Sequence, residues 1–160
     1  GYPYEGGIRE PLLVRWPKVI KKGTISHEPV TSVDYFPTIC EAAGVSLPRD
    51  RVIDGVSLLG HLKSNGADKL DREAIFWHFP HYRGKIVPYS IVRAGDWKLI
   101  KRYEGKTFEL FNLKDDLPEE TDLSEKMPEK VNELDTKLAN WLRDTNAKLP
   151  RQNLQKEQKL

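Results

Sequence analysis

Apolar and polar positions change their rhythm near the middle of the chain. Residues 11–16, PLLVRW, form an almost continuous apolar run closed by Pro17. A run without alternation suits a strand buried on both faces of a mainly parallel sheet. Such a strand needs neighbours on both sides, and none is evident nearby. VIKKGTISHEP reads as a turn with Lys21-Lys22-Gly23 at its tip. In VDYFPTICEAAG, Phe36, Ile39, Cys40 and Ala43 recur at the spacing of one helix face. Thr31 or Ser32 can cap that helix, Asp34 complements its dipole, Pro37 marks its start and Gly44 its stop. DGVSLLGHLKS predicts a short helix with Leu58, Leu59 and Leu62 on one side, and SNGADKLDR reads as a linker.

Beyond the linker the period shortens to two. AIFWHF, YSIVRAG, WKLIKRY and TFELFNL are rich in aromatic and β-branched residues, and Gly-Asp and Glu-Gly turn signals separate three of them. They predict about four strands of an antiparallel meander. HFPHYRGKIVP, between the first two, is too long and too decorated for a simple turn. Pro128 and Glu129 open a helix that places Val131, Leu134, Leu138, Trp141 and Leu142 at helical spacing. RQNLQKEQKL carries no packing pattern and is expected to be a disordered tail. The expected fold class is α+β: terminal elements of a larger layer, then a small antiparallel sheet packed against a C-terminal helix. The expected division is 1–64, 65–150 and 151–160.

Composition narrows the functional classes. The 160 residues carry 26 Lys and Arg against 24 Asp and Glu, a formal net charge of +2. That balance argues against nucleic acid as a partner, which needs clustered positive potential. No stretch approaches the ~18 apolar residues of a membrane span. The single cysteine, Cys40, is expected to be a small buried hydrophobe rather than a nucleophile.

Taken in order, YEGGIREPLLVRWP, SVDYFPTICEAAGV, DGVSLLGHL, FWHFPHY, IVRAGDWKLIKRYE and ELFNLKDD resemble the C-terminal portion of the type I sulfatases, of the alkaline-phosphatase-like superfamily. The resemblance runs from Tyr4 to Trp141. It implies an α/β parent of which residues 1–64 end the catalytic domain and 65–150 form a C-terminal subdomain. It further implies that a catalytic lysine lies just upstream of Gly1, in a Gly-rich loop, and that the parent uses a formylglycine nucleophile and Ca2+. The formylglycine arises within C/S-x-P-x-R, and Cys40 is followed by Glu41, Ala42, Ala43 and Gly44, so it does not match. On this reading the chain holds no catalytic residue and no metal ligand, and no turnover is expected of it alone. Its partners are the missing N-terminal catalytic portion and a sulfated carbohydrate or aryl sulfate. A periplasmic or secreted parent is the expectation, since sulfated substrates are mostly extracellular.

The residues left to touch substrate cluster in Trp77-His78-Phe79-Pro80-His81-Tyr82-Arg83. Aromatic faces stack on sugar or aryl rings, while imidazole and guanidinium donate to anionic oxygens. His78, His81, Arg83 and, near the missing lysine, Tyr4 are the candidate substrate-binding residues. Trp77 and Phe79 are expected to face the core. His78 and His81 stay open between contacting substrate and bonding backbone carbonyls. The His-x-x-His spacing alone is a weak metal signal. Arg9 is expected to pair with Glu5 or Glu10, and Tyr2 to flank the same pocket. His27 and His61 stand isolated, with no assigned role. Lys98, Lys101, Arg102 and Lys106 are read as a solubilising wet sheet face. Two other functions remain in view: a related phosphodiesterase or phosphonate hydrolase, and a non-catalytic module binding sulfated glycans. The apolar first half predicts self-association or edge pairing.

Overall fold

The computed structural model describes residues 2–105 and 107–151. The expected tail from residue 152 onward, and Lys106 of the basic cluster, lie outside the described residues. The chain divides into two compact units. One joins the residues up to Glu10 with those from Ala74 onward, and the other is Pro11–Glu73. The second unit ends at Glu73, and residues 2–10 pack with the sheet.

In the sheet unit, β1 (Ile75–Phe79), β2 (Tyr89–Ala94), β3 (Trp97–Arg102) and β4 (Phe108–Asn112) form an antiparallel meander in sequence order. The period-two pattern sets the register. Val92 lies opposite Leu99, and Leu99 opposite Leu110, so each apolar row crosses the sheet. That row meets Val131, Leu134, Leu138 and Leu142 of the C-terminal helix Pro128–Asp144, as its spacing predicts. Trp141 stacks on Phe76 at 4.8 Å. The opposite row, Tyr89, Ile91, Ile100 and Phe111, is covered by Tyr4 and Ile8, with Trp77 and Phe79 alongside. Tyr4 and Ile8 flank or end a single helical turn, α1 (Glu5–Ile8). Both faces of the sheet are therefore dry. The expected wet face of Lys98, Lys101 and Arg102 does not exist: Lys98 is fully buried, and Lys101 and Arg102 are half-buried.

In the other unit, residues 11–16 form no strand. No strand pairs with them among the described residues, and Leu13 is 93% exposed. An apolar run becomes a strand only where a neighbour accepts its ladder hydrogen bonds, and among the described residues no strand does so for 11–16. The helix α2 (Tyr35–Ala42) forms as expected and stops at Gly44, whose φ of +67° suits glycine. Its predicted apolar face is not covered: Phe36 and Ile39 are exposed, and Cys40 is half-buried rather than buried.

The unit is organised instead by Asp34, fully buried at the end of a 3-10 turn, Ser32–Asp34. Its carboxylate accepts from the backbone N–H of Thr31 at 2.8 Å and of Val56 at 3.0 Å. It also accepts from Arg72 Nη1 at 2.8 and 2.9 Å, while Arg72 Nη2 donates to the Pro29 carbonyl at 2.7 Å. Gly55 lets this loop close, since a Cβ there would lie 2.1 Å from the Val33 carbonyl oxygen. His61 is not isolated. It is buried on α3 (Leu59–Lys63), with Nδ1 donating to the Asp68 carbonyl at 2.5 Å and Nε2 2.8 Å from Ser26 Oγ.

Candidate functional site

The connection from β1 to β2 is built as a narrow projecting tip. Arg83 and Ile86 exchange backbone hydrogen bonds at 3.1 and 3.0 Å around Gly84-Lys85. Gly84 takes φ +60°, which only glycine adopts without strain. Phe79 anchors the base of the tip, stacked on Tyr89 at 5.4 Å. His81 packs edge-on against Phe79 at 5.6 Å. From that footing His81, Tyr82, Arg83 and Lys85 are exposed. The tip thus presents an imidazole, a phenol ring, a guanidinium and an ammonium with no carboxylate among residues 80–88. Such a set can stack on a ring and donate to anionic oxygens.

The other two candidates sit differently. His78 points to the face covered by the C-terminal helix, where Nε2 donates to the Lys148 carbonyl at 3.0 Å. Its Nδ1 lies 2.7 Å from Ser90 Oγ, which is in turn 2.8 Å from the Tyr103 hydroxyl. Both ring nitrogens are thus engaged. Tyr4 lies on the opposite sheet face, with its ring 6.3 Å from that of Phe111. Its hydroxyl donates to Glu109 Oε2 at 2.6 Å and accepts from Arg102 Nη2 at 2.9 Å. Burial, then the hydrogen bond to Glu109, raises the Tyr4 phenol above its ordinary pKa. The fold therefore separates the four residues: His81 and Arg83 share the tip, His78 ties β1 to the chain after the C-terminal helix, and Tyr4 closes the far face.

Beside Tyr4 lies a constellation that the sequence reading did not assemble. Lys98 Nζ donates to Glu5 Oε1 at 3.0 Å and lies 2.7 Å from Glu119 Oε1. Glu119 Oε2 accepts the backbone N–H of Glu5 at 2.5 Å. Arg9 and Arg93 approach the other oxygen of Glu5, Oε2, at 3.5 and 3.7 Å, which satisfies the expected pairing of Arg9 with Glu5. The clue in the sequence is the company Lys98 keeps. It shares a strand face with Ile100, and Phe111 lies directly across from it on β4. A lysine on an apolar row is a buried lysine, and it requires a carboxylate from elsewhere.

These carboxylates do not fit a divalent cation, because Lys98 already occupies the space between them. Among the described residues no three His, Cys, Asp or Glu side chains converge to hold a metal ion.

Comparison with known proteins agrees with the fold. The family model described as "N-sulphoglucosamine sulphohydrolase, C-terminal" matches residues 2–148. A sulfatase of Formosa agariphila is 36% identical over 161 aligned positions, which take in 92% of this chain and 29% of that protein. The human steryl-sulfatase is 42% identical over 95 residues, 59% of this chain and 16% of that one. A solved complex of a protein with its substrate D-glucosamine-2-N,6-O-disulfate superposes with a TM-score of 0.66 at 30% identity, over 81% of this chain and 27% of the other. The chain thus spans less than a third of the length of each relative.

Proposed function

Because the chain belongs to the N-sulphoglucosamine sulphohydrolase C-terminal family, we propose that it is the substrate-facing rear portion of an enzyme that hydrolyses sulfate esters. Residues 1–64 end the catalytic domain of that enzyme, and the sheet unit closes over its substrate. The substrate class is sulfated carbohydrate, in keeping with the disulfated glucosamine held by the relative of known structure. The formylglycine and Ca2+ of such chemistry belong to the rest of the protein. This chain contributes binding and orientation.

The observation that carries the reading is the tip. His81 and Arg83 are exposed hydrogen-bond donors on a connection footed on the Phe79–Tyr89 stack. Sulfate oxygens accept from both, and the Tyr82 ring offers a face to a sugar ring. His78 and Tyr4 stand apart from the tip, one fixing β1 and the other the far sheet face. The exposed apolar residues of the other unit, among them Leu13, Phe36 and Ile39, are covered in the whole protein by its N-terminal portion.

Titration of the 160-residue chain with glucosamine-2-N,6-O-disulfate, followed by amide shifts, tests the assignment. Shifts are expected at His81, Tyr82 and Arg83, with affinity falling about tenfold in Arg83→Ala through loss of one charge-assisted contact. Binding should weaken with salt. An absence of shifts at the tip would sink the role given to it. Hydrolysis of an aryl sulfate by this chain alone, abolished in His78→Ala, would overturn the division of labour.

A further inference from the structure

The stack Glu5–Lys98–Glu119 is costly in two ways. Lys98 is withdrawn completely from water, and the side chains of Glu5 and Glu119 are 7% and 1% exposed. Removing such charges from solvent carries a desolvation penalty that their mutual attraction roughly offsets. Glu119 also adopts φ +61°, a left-handed conformation that a glutamate rarely takes. Its loop is held there from behind. Asp116 accepts the Glu119 N–H with its carbonyl at 3.2 Å, and those of Glu120 and Thr121 with its carboxylate at 3.1 and 2.9 Å. Strain of this kind persists only where the surroundings over-determine it.

Conformational definition of residues 2–9 is what the stack supplies. That segment has little of its own to hold it. α1 is a single turn with no side-chain cap, begun by Tyr4 in extended conformation. A helix of that length does not form in isolation. The stack grips it at two points of one residue: the Glu5 side chain through Lys98, and the Glu5 N–H through Glu119. The turn bonds from Gly7 N–H to the Tyr4 carbonyl and from Arg9 N–H to the Glu5 carbonyl, both 2.8 Å, lie on either side of this grip. The fit is close, for a Cβ on Gly7 would lie 2.5 Å from the Tyr2 carbonyl oxygen. Tyr4 and Ile8 add apolar contacts with the sheet, and the Tyr4 hydroxyl adds its bonds to Glu109 and Arg102, but these act on side chains at either end and leave the Gly-Gly backbone between them free to choose.

We propose that Lys98 and Glu119 are positioning residues, which set the backbone of residues 2–9 from strand β3 and the loop after β4. The stack serves placement of this segment rather than stability of the sheet. The inference rests on the geometry of the sheet unit alone and stands whether or not the whole protein is a sulfatase.

The test compares two variants of the 160-residue chain by site-resolved hydrogen exchange. Lys98→Met alone leaves two carboxylates buried without a cation and is expected to loosen the whole unit. The triple variant Glu5→Gln/Lys98→Met/Glu119→Gln removes all three charges at nearly constant volume and is the deciding one. The expected result is exchange at Gly7 and Arg9 faster by tenfold or more, with Leu99 and Ile100 within twofold of the parent. Two results would overturn the proposal. Unchanged protection at Gly7 and Arg9 would mean that the contacts of Tyr4 and Ile8, the Tyr4 hydroxyl bonds included, place the segment unaided. Equal loss in segment and sheet, failure to fold included, would mean that the stack is a stability element.

Discussion

The two units solve the same problem with opposite means. The sheet unit buries apolar rows on both faces, and its charged groups are fastened inside, as Lys98 is between Glu5 and Glu119. The unit Pro11–Glu73 buries a charge, Asp34, alongside Leu58 and Leu59, and leaves other large apolar side chains outside: Phe36 is 49% and Ile39 65% exposed. A carboxylate hub satisfies backbone donors and one arginine, but it removes little apolar surface from water, and apolar burial is the main favourable term in folding. The difference is that the sheet unit covers its own apolar rows, while the other unit keeps several large apolar side chains exposed.

Cutting each hub should show two independent structures. Lys98→Met strands two buried carboxylates, and Asp34→Ala strands Arg72. Each is expected to cost about 3–5 kcal/mol, the usual result of breaking a buried pair from one side. Each loss should be confined to its own unit. Denaturant melts followed by exchange at Leu99 for the sheet unit and Leu62 for the other would check this, and a shared transition would erase the distinction. Next in size, Leu138→Ala removes a fully buried side chain facing Val92 and Leu99 and should cost about 2–5 kcal/mol, read as a lower denaturation midpoint. The matching truncation on the other unit, Ile39→Ser, should change stability by no more than about 0.5 kcal/mol because the side chain is already in water. It should also reduce self-association in sedimentation, and an unchanged profile would show that this face is not adhesive.

The smallest effect separates the units by pH. Burial raises the Tyr4, Tyr89 and Tyr103 phenols above their ordinary value of 10.0, with the bond to Glu109 adding to the shift at Tyr4. The unfolded chain therefore ionises first. The contribution is fully present below pH 10.0 and is lost as the pH climbs from there through the folded values. The sheet unit, which holds all three, should lose exchange protection on an alkaline scan before the other unit does. Simultaneous loss would place the alkaline transition elsewhere.

Local pattern was enough for much of the molecule. Alternation marked all four strands, and helical spacing marked the buried edge of Pro128–Asp144. Glycine after Ala42-Ala43 marked the end of α2. These features depend on neighbours a few residues away, which the chain always provides. The tip residues were legible too, since a donor-rich stretch between strands has little to bury. The strand expected at 11–16 was not formed, because apolar character says that a segment seeks cover without saying whether a partner is at hand. Lys98 was misread for the related reason that a charged residue on a strand ordinarily marks the wet side, and the cover came from residues 93 positions earlier.

Amino-acid order by itself determined the four strands, α2, the C-terminal helix and the family to which the chain belongs, because periodicity and short motifs are properties of neighbouring residues. Only the tertiary structure decided that both sheet faces are dry, that Glu5, Lys98 and Glu119 meet, and that His78 and Tyr4 stand on opposite sides of the sheet. Burial and ion pairing depend on which distant segments close over one another, and spacing along the chain carries no measure of that.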